Sequence, residues 1–159
     1  CHGATAGGAK GFPNLTDNDW LYGGSPEKIK ETLNKGRQGM MPAFGAAFGE
    51  EKVKDVANYV LQLAGRKHNE LRAQRGASTY QQVCVACHGA EGKGNQDIGA
   101  PNLTDNVWLY GSAETTIIET ITNGRDNVMP NWQAFLGDAK VHLLTSYVYG
   151  LSQGQAAGK

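Results

Sequence analysis

Cysteine is scarce in this sequence: three residues in 159, an odd number that leaves one thiol over in any disulfide scheme. Long apolar runs are missing. No stretch approaches the roughly 20 consecutive apolar residues that cross a bilayer as a helix, and the residues after Cys1 carry neither the basic nor the apolar region of a secretory signal. An excess of one charge is missing too. Fifteen Lys and Arg balance fifteen Asp and Glu, which removes the electrostatic case for nucleic acid or an anionic membrane surface as partner. Only 40% of residues are hydrophobic while 22 are Gly. Small domains of this composition bury too little apolar surface unaided and need another source of it.

What the chain does have is an internal repeat. At an offset of 88, Pro13-Asn14-Leu15-Thr16-Asp17-Asn18 meets Pro101-Asn102-Leu103-Thr104-Asp105-Asn106, and Trp20-Leu21-Tyr22-Gly23 meets Trp108-Leu109-Tyr110-Gly111. The register continues through Gly36-Arg37 with Gly124-Arg125, Met41-Pro42 with Met129-Pro130, and Tyr59-Val60 with Tyr147-Val148. Upstream, Cys1-His2-Gly3-Ala4 matches Cys87-His88-Gly89-Ala90 after a two-residue insertion in the Gly-rich stretch that follows the histidine. Two copies are too few for a stacked solenoid, and each is long enough to be a domain. The boundaries read from the repeat are a first domain at 1–66, a linker at 67–75, a second domain at 76–152 and a tail at 153–159.

Each copy reads as loop, helix, Met-Pro loop and final helix. Ser25 as N-cap, Pro26 in the first turn and Gly36 as the stop predict a helix over Pro26–Lys35 with Ile29 and Leu33 on one face, and its counterpart over about Ala113–Asn123. Val53, Val56, Val60 and Leu63 predict an amphipathic helix over about Glu50–Ala64, echoed by Val141, Leu144, Val148 and Leu151. Arg66 to Val83 is polar and basic and reads as a linker running into a helix. Strand content is expected to be small.

The chemistry is concentrated at Cys84-Val85-Ala86-Cys87-His88. Two thiols three positions apart with a histidine directly after the second is the spacing that attaches haem through two thioether bonds. His88 then supplies one iron ligand. Met129 is the candidate for the other face, since a thioether is a soft ligand and the His/Met pair is the axial set of electron-transferring cytochromes. Methionine more often fills core gaps, but Met-Pro recurs in register while most of its neighbours change. The same assignment gives His2 and Met41 as axial ligands and Cys1 as a thioether in the first copy, whereas Met40 aligns with Val128 and reads as packing. A zinc site needs further ligands that no second cysteine pair provides, and a thioredoxin-like motif needs a βαβ context that is absent here.

Other residues have plainer readings. His68 and His142 are expected to face solvent. Gly89 to Gly94 lacks the hydroxyl and preceding strand of a phosphate loop, so it reads as a tight loop at the haem edge. Trp20, Trp108, Arg37 and Arg125 recur in register and suit either hydrogen bonds to haem propionates or ordinary packing.

With these residues assembled, the phrase from Pro101 to Gly111, Asn123-Gly124-Arg125 and Met129-Pro130 resembles the dihaem subunit III of cbb(3)-type cytochrome c oxidases. The resemblance covers nearly the whole chain. It implies an all-α protein of two tandem class I cytochrome c domains, each a small helical bundle around one covalently bound haem c, with two haems per intact chain. It further implies no catalysis by this subunit itself, but relay of electrons from a soluble or membrane-bound cytochrome c donor towards the catalytic haem-copper subunit, beside a monohaem cytochrome c subunit, at the periplasmic face of a bacterial inner membrane. In the family the first domain has a full Cys-x-x-Cys-His motif behind a helix and a membrane anchor. The match at Cys1 begins at the second cysteine: either the start of this domain is missing, as its intact remainder favours, and anchoring is expected through that missing N-terminal segment, or the first haem is held by a single thioether. Two other functions share these residues: a free soluble dihaem carrier, and a dihaem peroxidase-like enzyme, against which two methionine-ligated irons speak.

Overall fold

The computed structural model describes residues 1–156, with side chains through Gln153. Residues 157–159, the end of the expected tail, lie outside the described residues. In order, the elements are α1 (Pro26–Lys35), β1 (Arg37–Met41), α2 (Gly45–Leu63), α3 (Glu70–Thr79), a π-helical turn (Tyr80–Cys84), α4 (Val85–His88), α5 (Glu114–Asn123), β2 (Arg125–Met129) and α6 (Gln133–Ala156). The protein is mostly helical.

Local chemistry explains the helix ends. Ser25 Oγ accepts from the Lys28 amide at 3.3 Å at the head of α1, Pro26 occupies the first turn, and Ile29 and Leu33 are buried as their spacing predicts. α5 repeats this with Ile117 and Ile121 but has Ala113 at the cap and no side-chain bond there. α2 and α6 each break at a glycine one turn in, Gly49 at φ 71° and Gly137 at φ 74°. The main body of α2 therefore starts at Glu50, where the apolar periodicity places it. α6 runs on to Ala156, past the expected end of the second domain at 152.

The chain folds into two compact units that do not follow the copy boundaries. One unit holds Cys1–Gln38 with the chain from Asn127 onward; the other holds Gly39–Asp126. Each unit joins the first half of one copy to the last helix of the other, with the crossings inside β1 and β2. This grouping differs from the bounds read from the repeat, 1–66 and 76–152. In the first unit α1 packs on α6, burying Ile29, Leu33, Val141 and Val148, with Leu15, Trp20, Met129 and Trp132 around them. In the second unit α2 packs on both α3 and α5, burying Val53, Val56, Val60, Leu61, Tyr80, Ile117 and Ile121, with Met41, Phe44, Cys84, Val85 and Trp108 around them. Exchange between copies is physically cheap because the repeat gives both final helices the same apolar face.

The linker expected at 67–75 is mostly helix. Asn69 caps α3 by accepting from the Arg72 amide at 3.1 Å. α3 lacks an apolar stripe because it meets α2 through small residues: Ala73 and Gly76 are buried, and a Cβ on Gly76 would strike the Asp55 carbonyl. Its other attachment is ionic, with Arg72 and Arg75 on Asp55. His68 is half-buried rather than solvent-facing, donating Nδ1–H to the Arg66 carbonyl at 2.7 Å. His142 is exposed, as expected. β1 and β2, read from the sequence as loop, are five residues each with alternating burial.

Candidate haem-binding site

Both histidines are held in the same way. His88 is 8% exposed, and its Nδ1 lies 3.1 Å from the Pro101 carbonyl oxygen; His2 Nδ1 lies 2.8 Å from the Pro13 carbonyl oxygen. A carbonyl only accepts, so Nδ1 carries the proton in each ring and Nε2 keeps its lone pair for a metal. This is the arrangement by which metal-binding histidines are oriented and made more basic. Burial lowers the His88 pKa below its usual value, opposed by the bond to Pro101, so the ring stays neutral as ligation requires.

The repeated Pro-Asn-Leu-Thr phrase accounts for the carbonyl's position. Asn102 Oδ1 accepts from the Thr104 amide at 2.9 Å and from its hydroxyl at 2.8 Å, closing an Asx turn, and Asn14 does the same for Thr16. The Leu103 amide donates to the Gly92 carbonyl at 2.7 Å and the Leu15 amide to the Ala6 carbonyl at 2.8 Å. The Gly94 amide then returns to the His88 carbonyl, and the Gly8 amide to the His2 carbonyl, each at 2.9 Å. Pro13 and Pro101 are site residues that the reading of the sequence passed over. The available signal was their place at the head of the repeated phrase.

Two cysteines precede His88: Cys84 ends the π-helical turn and Cys87 lies on α4. Tyr80 is fully buried at the turn preceding them and donates its hydroxyl to the Gly89 carbonyl at 2.9 Å, pinning the end of α4. Cys84 is half-buried and Cys87 exposed, while Cys1 is exposed in the other unit. Burial, with the neighbouring Cys87, pushes the Cys84 thiol up to about 11. Among the described residues no three His, Cys, Asp or Glu side chains gather into a metal cage.

The methionines fall on the opposite sides from those expected. Met129 packs in the unit that contains His2, and Met41 against the core of the unit that contains Cys84 and His88. Each Met-Pro loop is docked on the helix of the other copy. The Phe44 amide donates to the Ile121 carbonyl at 2.9 Å, and the Trp132 amide to the Leu33 carbonyl at 2.8 Å. The glycines ending those helices receive the loop: Gly124, at φ 69°, has no room for a Cβ against the carbonyls of Met41 and Pro42, and Gly36, at φ 71°, none against those of Met129 and Pro130. The expected pairings of His88 with Met129 and of His2 with Met41 are therefore not the ones the two units bring together.

Arg125, Arg37 and Trp108, all candidate propionate donors, are engaged locally. Arg125 Nε and Nη2 bond Thr120 Oγ1 at 3.1 and 2.8 Å, Nη1 bonds Glu119 at 3.1 Å, and the guanidinium lies over the Tyr110 ring at 4.1 Å. Arg37 repeats the pattern with Thr32, Glu31 and Tyr22. Trp108 Nε1 donates to the Asp105 carbonyl at 3.0 Å. These recurrent residues stiffen the helix-to-strand and loop corners.

The donor set fits a covalently attached haem: two thiols on one turn, an imidazole with a free Nε2, and a thioether packed in the same unit. Comparison with known proteins gives the family. Residues 1–60 and 71–148 match the family model described as cytochrome c oxidase, cbb3-type, subunit III. The chain is 53% identical over 96% of its length to the cbb3-type cytochrome c oxidase subunit CcoP of Rubrivivax gelatinosus, of which it covers 50%. It is 46% identical to the FixP subunit of Azorhizobium caulinodans and 43% to the CcoP subunit of Cereibacter sphaeroides, over 98% of its length and 56% and 57% of theirs. The chain thus spans about half the length of the curated relatives it matches. On these matches, and on a motif set that recurs in both units, the chain belongs to the subunit III family of cbb3-type cytochrome c oxidases.

Proposed function

We propose that this chain is the electron-relaying part of such a subunit, holding two haem c groups with their methionine ligands exchanged between the copies. In this reading Cys84 and Cys87 would hold one haem, with His88 and Met41 donating to its iron. Cys1, His2 and Met129 serve the other. Bound haem supplies one-electron exchange between ferric and ferrous iron. The protein's own residues do the rest. Pro101 and Pro13 orient the imidazoles, Tyr80 and the Gly92–Leu103 bond keep the attachment loop rigid, and the Met-Pro loops present a thioether from the far copy. A rigid ligand set suits a carrier, because little has to move when the charge changes. The observation that carries the reading is the twofold occurrence of histidine Nδ1 on a proline carbonyl with a methionine packed in the same unit.

Electrons would come from a cytochrome c donor and pass to the haem-copper subunit at the periplasmic face of the inner membrane, with the monohaem subunit as neighbour and anchoring upstream of Cys1. The test of the ligand pairing is nuclear magnetic resonance of the reduced holoprotein. The axial methionine methyl that contacts the haem on Cys84 and Cys87 is expected to disappear in Met41→Leu and to persist in Met129→Leu. The reverse result would restore the unexchanged pairing.

A further inference from the structure

Apolar packing alone does not decide which half of one copy joins which half of the other. α2 and α6 offer Val53, Val56 and Val60 in register with Val141, Leu144 and Val148, and α1 and α5 offer Ile29 and Leu33 in register with Ile117 and Ile121. Both ways of combining these faces bury the same kind of surface. The polar groups at the same contacts are not equivalent.

Asn58 on α2 is 1% exposed and fully engaged. Its Nδ2 donates to the Glu114 carboxylate at the head of α5 at 2.7 Å and to the Lys54 carbonyl at 2.9 Å, while its Oδ1 accepts from the Asn69 amide at the head of α3 at 2.8 Å. One turn earlier, Asp55 accepts from Arg75 Nε and Nη2 at 2.8 Å each and from Arg72 Nη1 at 3.0 Å. In the repeat register Asp55 becomes Leu143, Asn58 becomes Ser146, and Glu114 corresponds to Pro26. Leu143 and Ser146 are exposed on α6, and the Ser146 hydroxyl turns back to the His142 carbonyl of its own helix at 3.1 Å.

We propose that Asp55 and Asn58 are selector residues: they direct α3 and α5 to α2 rather than to α6, and so set which methionine stands opposite which histidine. This rests on the exchanged ligand pairing proposed above. Placed on α6, α3 would bring Arg72 and Arg75 against Leu143, and α5 would bring Glu114 against a serine already bonded to its own helix. Placed on α2, α1 would face the Asn58 amide with Pro26, which has no side-chain acceptor. A buried polar group that loses its partner costs far more than the bond itself contributes, so the mismatched arrangement is the one disfavoured. Specificity then comes from the penalty on the wrong pairing, with apolar burial equal in both.

The experiment uses the reduced holoprotein carrying 13C-methyl methionine and asks which methyl contacts the haem on Cys84 and Cys87. Wild type is expected to show one axial methyl, assigned to Met41, and Asp55→Glu, which keeps the charge, to show the same one. Asp55→Leu/Asn58→Ser is expected to add a second signal, from Met129, at about a tenth of the first or more, as two near-degenerate states come to coexist. Adding Leu143→Asp/Ser146→Asn, which moves the selector to α6, is expected to make Met129 the major ligand. Met41 as sole ligand in that fourfold variant would overturn the proposal, whether or not the double variant folds. Met129 on this haem in wild type would instead overturn the pairing on which the proposal rests.

Discussion

Gly124→Ala tests how the end of α5 braces the Met41-Pro42 loop, which carries the proposed iron ligand. Gly124 ends α5 at φ 69° and ψ −175°, a region open essentially to glycine alone that costs another residue about 1–3 kcal/mol. An added Cβ would also meet the main chain of Met41, Pro42 and Ala43. Main-chain atoms cannot rotate away, so the ligand loop itself must shift, and overpacking of this kind adds about 1–3 kcal/mol. The expected total is about 2–6 kcal/mol. Gly49→Ala is the control. It has nearly the same backbone conformation, φ 71° and ψ 165°, but nothing within 4 Å of the added atom, so only the conformational cost of about 1–3 kcal/mol applies. Guanidinium unfolding of the oxidised holoprotein gives the stability change, and the methionine–iron charge-transfer absorption reports ligation. Gly124→Ala should lose more stability than Gly49→Ala and weaken that absorption. Equal stability losses with an unaltered spectrum would show that the loop is not braced by the end of α5, and the reasoning would fail.

Tyr80→Phe removes the hydroxyl that holds the Gly89 carbonyl and should cost about 1–2 kcal/mol, read from denaturant midpoints; in wild type, burial pushes this phenol up to about 12, so its ultraviolet ionisation should lag behind that of an ordinary tyrosine. Asp55 gives an acid-dependent term. Its hydrogen bond to Arg75 holds the carboxyl below the usual carboxylate range despite burial, with Arg72 adding to the effect. A depressed folded pKa stabilises fully above the unfolded value, about 4, and is lost as pH falls through the folded one. Urea midpoints measured downward from pH 5 should therefore decline less steeply in Asp55→Asn than in wild type.

Much of the helix pattern was legible from residue types. Ser25-Pro26 and Gly36 mark both ends of α1, and the valine spacing marks the body of α2, because capping and amphipathicity are local effects. α3 was not legible, since its contact face is Ala73, Gly76 and two arginines, which read as linker until Asp55 stands opposite them. The Cys84–His88 motif stood out through spacing alone. The proline carbonyls did not, because a backbone oxygen has no letter of its own, and the role of Pro101 depends on a turn closed by Asn102 and Thr104.

The duplication, the motif at Cys84–His88 and the recurrence of Met-Pro follow from the sequence by itself, since each is a matter of identity and spacing along one chain. Which methionine lies with which histidine was decided only in the tertiary structure. Both copies present the same apolar faces, so the linear order favours neither pairing. The choice depends on which buried polar groups find partners across the helices, and those partners are set by contacts in space.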